Sequence, residues 1–202
     1  MNSLSTEFVC KVLKHYHLIE NKLIQYIKLH EKEYWSQLQG KNGTNGENGI
    51  NGVDIISAMR LKTATDTEQE LSEELVMRTL ALYWKLPFLK IDLSQFSPCT
   101  LASKISQPFA EKHLAIPVSM SQNILFVAII NPMNVEVLDA IRSISKLKVR
   151  PVISTKTDII EAIRECYVNQ KPASPTPSQK DQDTFQELVE AAEAELSNGT
   201  LY

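Results

Sequence analysis

The stretch "ISQPFAEKHLAIPVSMSQNILFVAIINPMNVEVLDAI", residues 105–141, decides the fold. Two short apolar runs, Leu114–Met120 and Ile124–Ile130, flank the turn-forming triplet Ser121-Gln122-Asn123, which predicts an antiparallel strand pair. Pro117 suits the start of a strand or a sheet edge, because proline offers no ladder donor. Asn131-Pro132 closes the second run: the amide side chain can cap a turn or helix, and proline presets φ. Val135 to Ser145 then places Val137, Leu138, Ile141 and Ile144 on one helical face. On the other side, Pro98 to Lys112 carries Leu101, Ile105 and Phe109 at intervals of four, and Pro108 within that pattern predicts two short helices rather than one. His113, after Glu111-Lys112, reads as a helix C-terminal residue rather than a catalyst.

Working outward, Phe88 to Leu93 and Lys148 to Ser154 are strand-like, and Thr157 or Asp158 caps a last helix carrying Ile159, Ile160, Ile163 and Tyr167. Nearer the N-terminus the texture is helical. Ser5 or Thr6 caps a helix with Phe8, Val9, Val12, Leu13 and Tyr16 on one face. Asn21 caps a second, with Leu23, Ile27, Tyr34 and Leu38 in a stripe. Asp54 to Met59 has room for one or two helical turns, and Lys62 to Gln69 is a polar loop. Ser72-Glu73-Glu74 opens a helix with acids in the first turn, where the dipole favours them, and Pro87 ends it. The fold class is α+β: an N-terminal helical region, then a small mixed sheet of about four strands packed with helices.

Between these halves lies "GKNGTNGENGING", residues 40–52, with glycine at every third position. A P-loop needs Lys-Ser/Thr after its last glycine, and Val53-Asp54 stands there instead. Collagen needs proline and a longer run. The stretch reads as a mobile spacer with nothing to bury. The expected organisation is therefore an N-terminal helical pair (1–39), a Gly/Asn spacer (40–53), an α+β domain (54–168), a proline linker (169–182) with Pro172, Pro175 and Pro177, and an acidic amphipathic helix and tail (183–202) striped by Phe185, Leu188, Val189, Ala192 and Leu196.

Composition narrows the function classes. The chain of 202 residues is 43% hydrophobic and 22% charged, with a net charge of −3. It carries no strong positive field for nucleic acid or an anionic membrane. The longest apolar run is too short to span a bilayer, and Met1 to Thr6 lacks the basic region of a signal peptide. Cys10, Cys99 and Cys166 are odd in number and widely spaced, which fits unpaired thiols in a reducing cytoplasm. His15 and His17 project from nearly opposite sides of a helix, so they do not share a metal. Neither Cys99 nor Cys166 shows a nearby base motif for nucleophilic work. Tyr83 and Trp84 read as packing, since they lack the basic surround of a base-stacking platform. No catalytic, metal or cofactor set is expected.

Leu71 to Tyr167 resembles the N-terminal domain of the type II secretion and type IV pilus assembly ATPases. The resemblance rests on "LSEELVMRTLALYWKLPFLKIDL", on the 105–141 stretch and on "LKVRPVISTKTDIIEAI". It implies a non-catalytic docking domain that couples the motor to an inner-membrane platform protein, in the cytoplasm and held at the inner membrane through that partner. The ATPase domain itself would be the other partner. Walker A and magnesium-binding motifs are missing from these residues, which suits an N-terminal region separated from its motor. Two other functions remain open: a cyclic di-GMP sensor with a degenerate motif, and a stand-alone adaptor. Many relatives bind the nucleotide through an Arg-Leu-Gly motif that ends in glutamine. Here the Arg-Leu-Gly position falls at Asn51-Gly52-Val53 and the glutamine position at Tyr83. Arg60, followed by Leu61 and Lys62, is the one nucleotide-binding candidate.

Overall fold

In a computed structural model, residues 4–41, 49–66, 68–93 and 99–168 are described, with Glu187 and Ala194. The proline linker and the acidic tail otherwise lie outside the described residues. The chain divides into two compact units, Met1–Trp84 and Lys85–Tyr202.

The first unit is helical: α1 (Thr6–His15), α2 (Asn21–Lys41), α3 (Gly52–Ala58) and α4 (Glu73–Trp84). Ser5 caps α1, its hydroxyl accepting the Phe8 N–H at 3.3 Å. Ser72 serves α4 in the same way, accepting the Leu75 N–H at 3.2 Å. Val9, Val12 and Leu13 of α1 are buried with Ile27 of α2, Val53, Ile55 and Ile56 of α3, and Leu75, Val76 and Leu80 of α4. Removal of such side chains from water supplies roughly 1.5–3 kcal/mol each. Of the stripe expected along α2, only Ile27 is fully buried. The Lys62–Gln69 segment is better ordered than a plain loop. Lys62 and Glu70 form an antiparallel bridge. The Thr63 N–H donates to Gln69 O at 2.9 Å and the Leu71 N–H to Leu61 O at 2.8 Å.

The spacer reading fails at its end. Asn51, Gly52 and Val53 are buried. Asn51 caps α3 with a full capping box: its Oδ1 accepts the Val53 and Asp54 N–H groups at 2.8 and 3.2 Å, and its own N–H donates to Asp54 Oδ2 at 2.9 Å. The sequence repeats Asn-Gly four times without marking which copy docks against another helix.

The second unit carries the sheet. Short helices α5 (Cys99–Ala102) and α6 (Gln107–His113) are separate, as Pro108 predicts, and His113 is the last residue of α6. Strands β1 (Ala115–Ser121) and β2 (Ile124–Ile129) pair antiparallel across Gln122 and Asn123, both at positive φ. The register slips between Pro117 and Ser119, a bulge beside the proline. Helix α7 (Val135–Ser145) returns the chain to β3 (Lys148–Ile153), parallel to β2, and α8 (Lys156–Ile163) ends in a π-helical turn, Arg164–Val168.

The sheet has three strands in the order β1-β2-β3, one fewer than expected. Of Phe88–Leu93, only Phe88 pairs, in an isolated parallel bridge to Ile153. Leu89 N–H donates to Ile153 O at 2.7 Å and Ile153 N–H to Pro87 O at 2.9 Å. Pro87 has no N–H with which to carry the ladder further back. Lys148 N–H faces Asn123 O and Ile153 N–H faces Pro87 O. Alternation therefore turns Pro151 outward from β2, where its missing donor breaks no bond in that ladder. Of the two roles open to Asn131 it takes the turn, accepting the Met133 N–H at 3.0 Å, while Asn134 precedes α7; the capping of α8 changes. Thr155 caps α8, accepting the Asp158 N–H at 3.0 Å, so Asp158 is the recipient of a cap and not its source.

The cysteine expectation is corrected as well. Cys99 and Cys166 form a disulfide across 67 residues of sequence, and Cys10 is buried and free. The pairing depends on α5 meeting the end of α8, which spacing alone does not reveal.

Candidate docking surfaces and the nucleotide position

The nucleotide position expected at 51–53 is occupied by packing. Gly52 N–H donates to Leu4 O at 2.7 Å. A Cβ at Gly52 would lie 2.5 Å from the Thr6 nitrogen and 2.6 Å from its Cα. Glycine is therefore required here by the start of α1, with no ligand needed to explain it. Arg60 is not beside it. Arg60 follows the far end of α3, at φ 49°, with its N–H on Ser57 O at 3.2 Å. A helix rises 1.5 Å per residue, so eight residues separate it from Gly52 by roughly 12 Å. Arg60 is exposed. Tyr83, at the glutamine position, is 42% exposed. The structure thus does not bring the two together as one cradle with the 51–53 position.

Tyr83 belongs instead to an aromatic cluster on α1 and α4. Phe8 lies edge-on to Tyr83 at 5.7 Å between ring centroids and stacks on Trp84 at 6.2 Å. His15 meets Tyr16 at 5.1 Å and Tyr83 at 6.4 Å. Burial raises the Tyr16 pKa, with Tyr83 adding to the shift. The sequence predicts a packing role for Tyr83 and Trp84. They do pack, yet at the rim, leaving Tyr83 at the surface. Heptad-like spacing marks the face of each helix but not where the face runs out of neighbours.

A second surface feature has no local signal in the sequence. An open cleft of about 420 Å3 in the first unit is lined by Glu20, Lys22, Leu23, Tyr26, Lys62, Thr63 and Ala64. Ala64, one of its lining residues, donates its N–H to Leu18 O at 2.8 Å. Lys62 is engaged by Glu70 at 3.6 Å and by Glu68 O at 3.1 Å, so its ammonium is directed into its own loop.

On the second unit, Met133 and Val135 stand 61% and 54% exposed at the turn into α7. Ile144, expected on the buried face of α7, is 54% exposed, while Val137, Leu138 and Ile141 are buried. Among the described residues, no group of three metal-ligating side chains gathers, and no helix is long and apolar enough to cross a membrane.

Comparison with known proteins gives these features a setting. Residues 84–173 match the model of the MshEN domain. A type IV pilus assembly ATPase, PilB, of Acinetobacter baylyi is 36% identical over 81 residues, 40% of this chain and 14% of the ATPase. Among solved structures, MshE with cdg aligns at TM-score 0.47 and 15% identity, covering 79% of this chain and 98% of that one. The N-terminal domain of XpsE aligns at TM-score 0.49 and 18% identity, covering 83% of this chain and 99% of that one. The family match and the pilus ATPase alignment liken the α+β unit to the N-terminal domain of type II secretion and type IV pilus assembly ATPases. More particularly, residues 84–173 resemble the MshEN domain. The chain spans only a small part of the pilus ATPase it matches, and the matching part is the N-terminal domain, not the catalytic one.

Proposed function

We propose that this chain is a protein-docking module of a secretion or pilus assembly ATPase, binding an inner-membrane platform protein from the cytoplasmic side and coupling the motor to it. The observation that carries this reading is the match of residues 84–173 to the MshEN domain, together with 36% identity to part of a pilus assembly ATPase. Physical support comes from the surface. Met133 and Val135 put apolar side chains in water at a turn pinned by Asn131 and Pro132. Preformed apolar anchors of this kind lower the entropy cost of binding. The proline-rich 169–182 segment serves as a spacer to the motor. The capping and packing roles of Asn51 and Gly52 favour docking over the cyclic di-GMP reading, because the residues at that position are already committed to the fold.

The test is capture from native lysate with tagged full chain, in parallel with a Met133→Asp/Val135→Asp variant. An inner-membrane platform protein retained by the first and lost by the second supports docking. Capture of unrelated proteins by both, with the platform protein missing, favours the adaptor.

A further inference from the structure

The second unit ends in a fastening that the docking role does not use. Cys166 and Tyr167 sit side by side in the π-helical turn after α8, and both reach the segment around α5. A π turn is wider than an α turn, so neighbouring side chains diverge less, and two successive residues can address one target. Cys166 bonds Cys99, with their Cα atoms 4.5 Å apart. The Tyr167 hydroxyl lies 2.8 Å from Ala102 O and 2.9 Å from Ile105 O. Burial pushes the Tyr167 pKa up to about 12, so the hydroxyl stays a donor across the physiological range.

We propose that Cys99–Cys166 is a reversible thiol–disulfide site, exchanging with low-molecular-weight thiols of the glutathione class and locking the end of α8 to α5 when oxidised. Two features separate a switch from a static staple. First, the bond is not the sole link. Leu101, Ala102, Ile105 and Ile163 are buried, and Tyr167 holds α5 independently. Second, the two cysteines differ in exposure. Cys166 is 3% exposed, whereas Cys99 is only partly buried. An external thiolate therefore attacks Cys99 Sγ. The bond to Cys166 breaks, Cys166 leaves as a thiolate and takes a proton, and the mixed disulfide on Cys99 is released by a second thiol. The sum is one protein disulfide and two thiols becoming two protein thiols and one small disulfide; oxidation by the small disulfide runs the same steps in reverse. Cys10 is a bystander, since burial first and Glu31 second push its pKa up to about 11.

The test equilibrates the full chain across a series of reduced and oxidised glutathione ratios. Each sample is acid-quenched, denatured and alkylated, and labels are counted by intact mass. The expected result is a single transition between one label, on Cys10, and three, with helical circular dichroism unchanged. Reduction should lower the melting temperature of this unit by roughly 10 °C. A Cys99→Ala/Cys166→Ala variant should melt at the lower temperature whatever the ratio. Oxidised glutathione should trap a mixed disulfide on native Cys166→Ser, through Cys99, and none on Cys99→Ser. Three labels at every ratio would overturn the proposal. So would a bond that yields to glutathione only after the chain is unfolded.

Discussion

At the scale of single residues, Asn51-Gly52 shows how tertiary contact gives meaning to a repeated dipeptide. Gly52→Ala places a methyl against Thr6 backbone rather than against a yielding side chain. The expected cost is about 3 kcal/mol, read as a lower denaturant midpoint for the first unit. Asn51→Ala removes one side of the capping box and should cost about 1 kcal/mol. Gly49, with open space around its Cβ position, should accept alanine without loss, which makes it the internal control. None of this was legible from the Asn-Gly repeat, because the clash belongs to a backbone some 46 residues away along the chain. By contrast, Ser5, Ser72 and Pro108 were legible, since a cap or a missing N–H acts within one helical turn. Cys10 gives a pH signature at the same scale. Its folded pKa is raised from 9.0 to about 11, so the neutral thiol is the form the fold favours. That stability is complete below pH 9 and is lost as pH rises toward 11, about 2–3 kcal/mol at most. Urea melts of the first unit should show this loss between pH 9 and pH 11, and Cys10→Ala should flatten it.

At the scale of elements, chain order and periodicity carried most of the second unit. The β1–β2 hairpin, the split before it, α7 and β3 all follow from runs and breakers local to each segment. The fourth strand did not follow, because Phe88 already meets Ile153, the last residue of β3, and the residues after it have no more of that strand to pair with. Ile144 is exposed although helical spacing puts it on the face of Val137, Leu138 and Ile141, because spacing predicts a face and not how far along it burial extends. Two exposed connections leave room for improvement. Lys146 ends α7 in the left-handed region at φ 59°. Lys146→Gly should stabilise the second unit by about 0.5–1 kcal/mol, seen as a rise in melting temperature of a few degrees. Gln122 and Asn123, at φ 46° and 67°, should respond in the same direction to Asn-Gly, the pair that such a tight hairpin favours.

At the scale of the whole molecule, residues 84–173 match the model of the MshEN domain, and the docking function proposed above rests on that match and on the apolar side chains around α7. Family and fold were legible in the sequence, since strand, turn and proline punctuation recur together from Leu71 to Tyr167. The site was legible only in part. Arg60 has the residue type of an anion ligand, but the length of α3 separates it from Gly52. Cyclic di-GMP should accordingly leave the melting temperature unchanged, and Arg60→Ala should not alter that result. The most direct measurement is a calorimetric titration of the full chain with the cytoplasmic domain of an inner-membrane platform protein. The account predicts saturable binding that weakens at least tenfold in Met133→Asp/Val135→Asp, with the melting temperature of that variant preserved. No binding to platform proteins from either machine, alongside a cyclic di-GMP shift that disappears in Arg60→Ala, would contradict it.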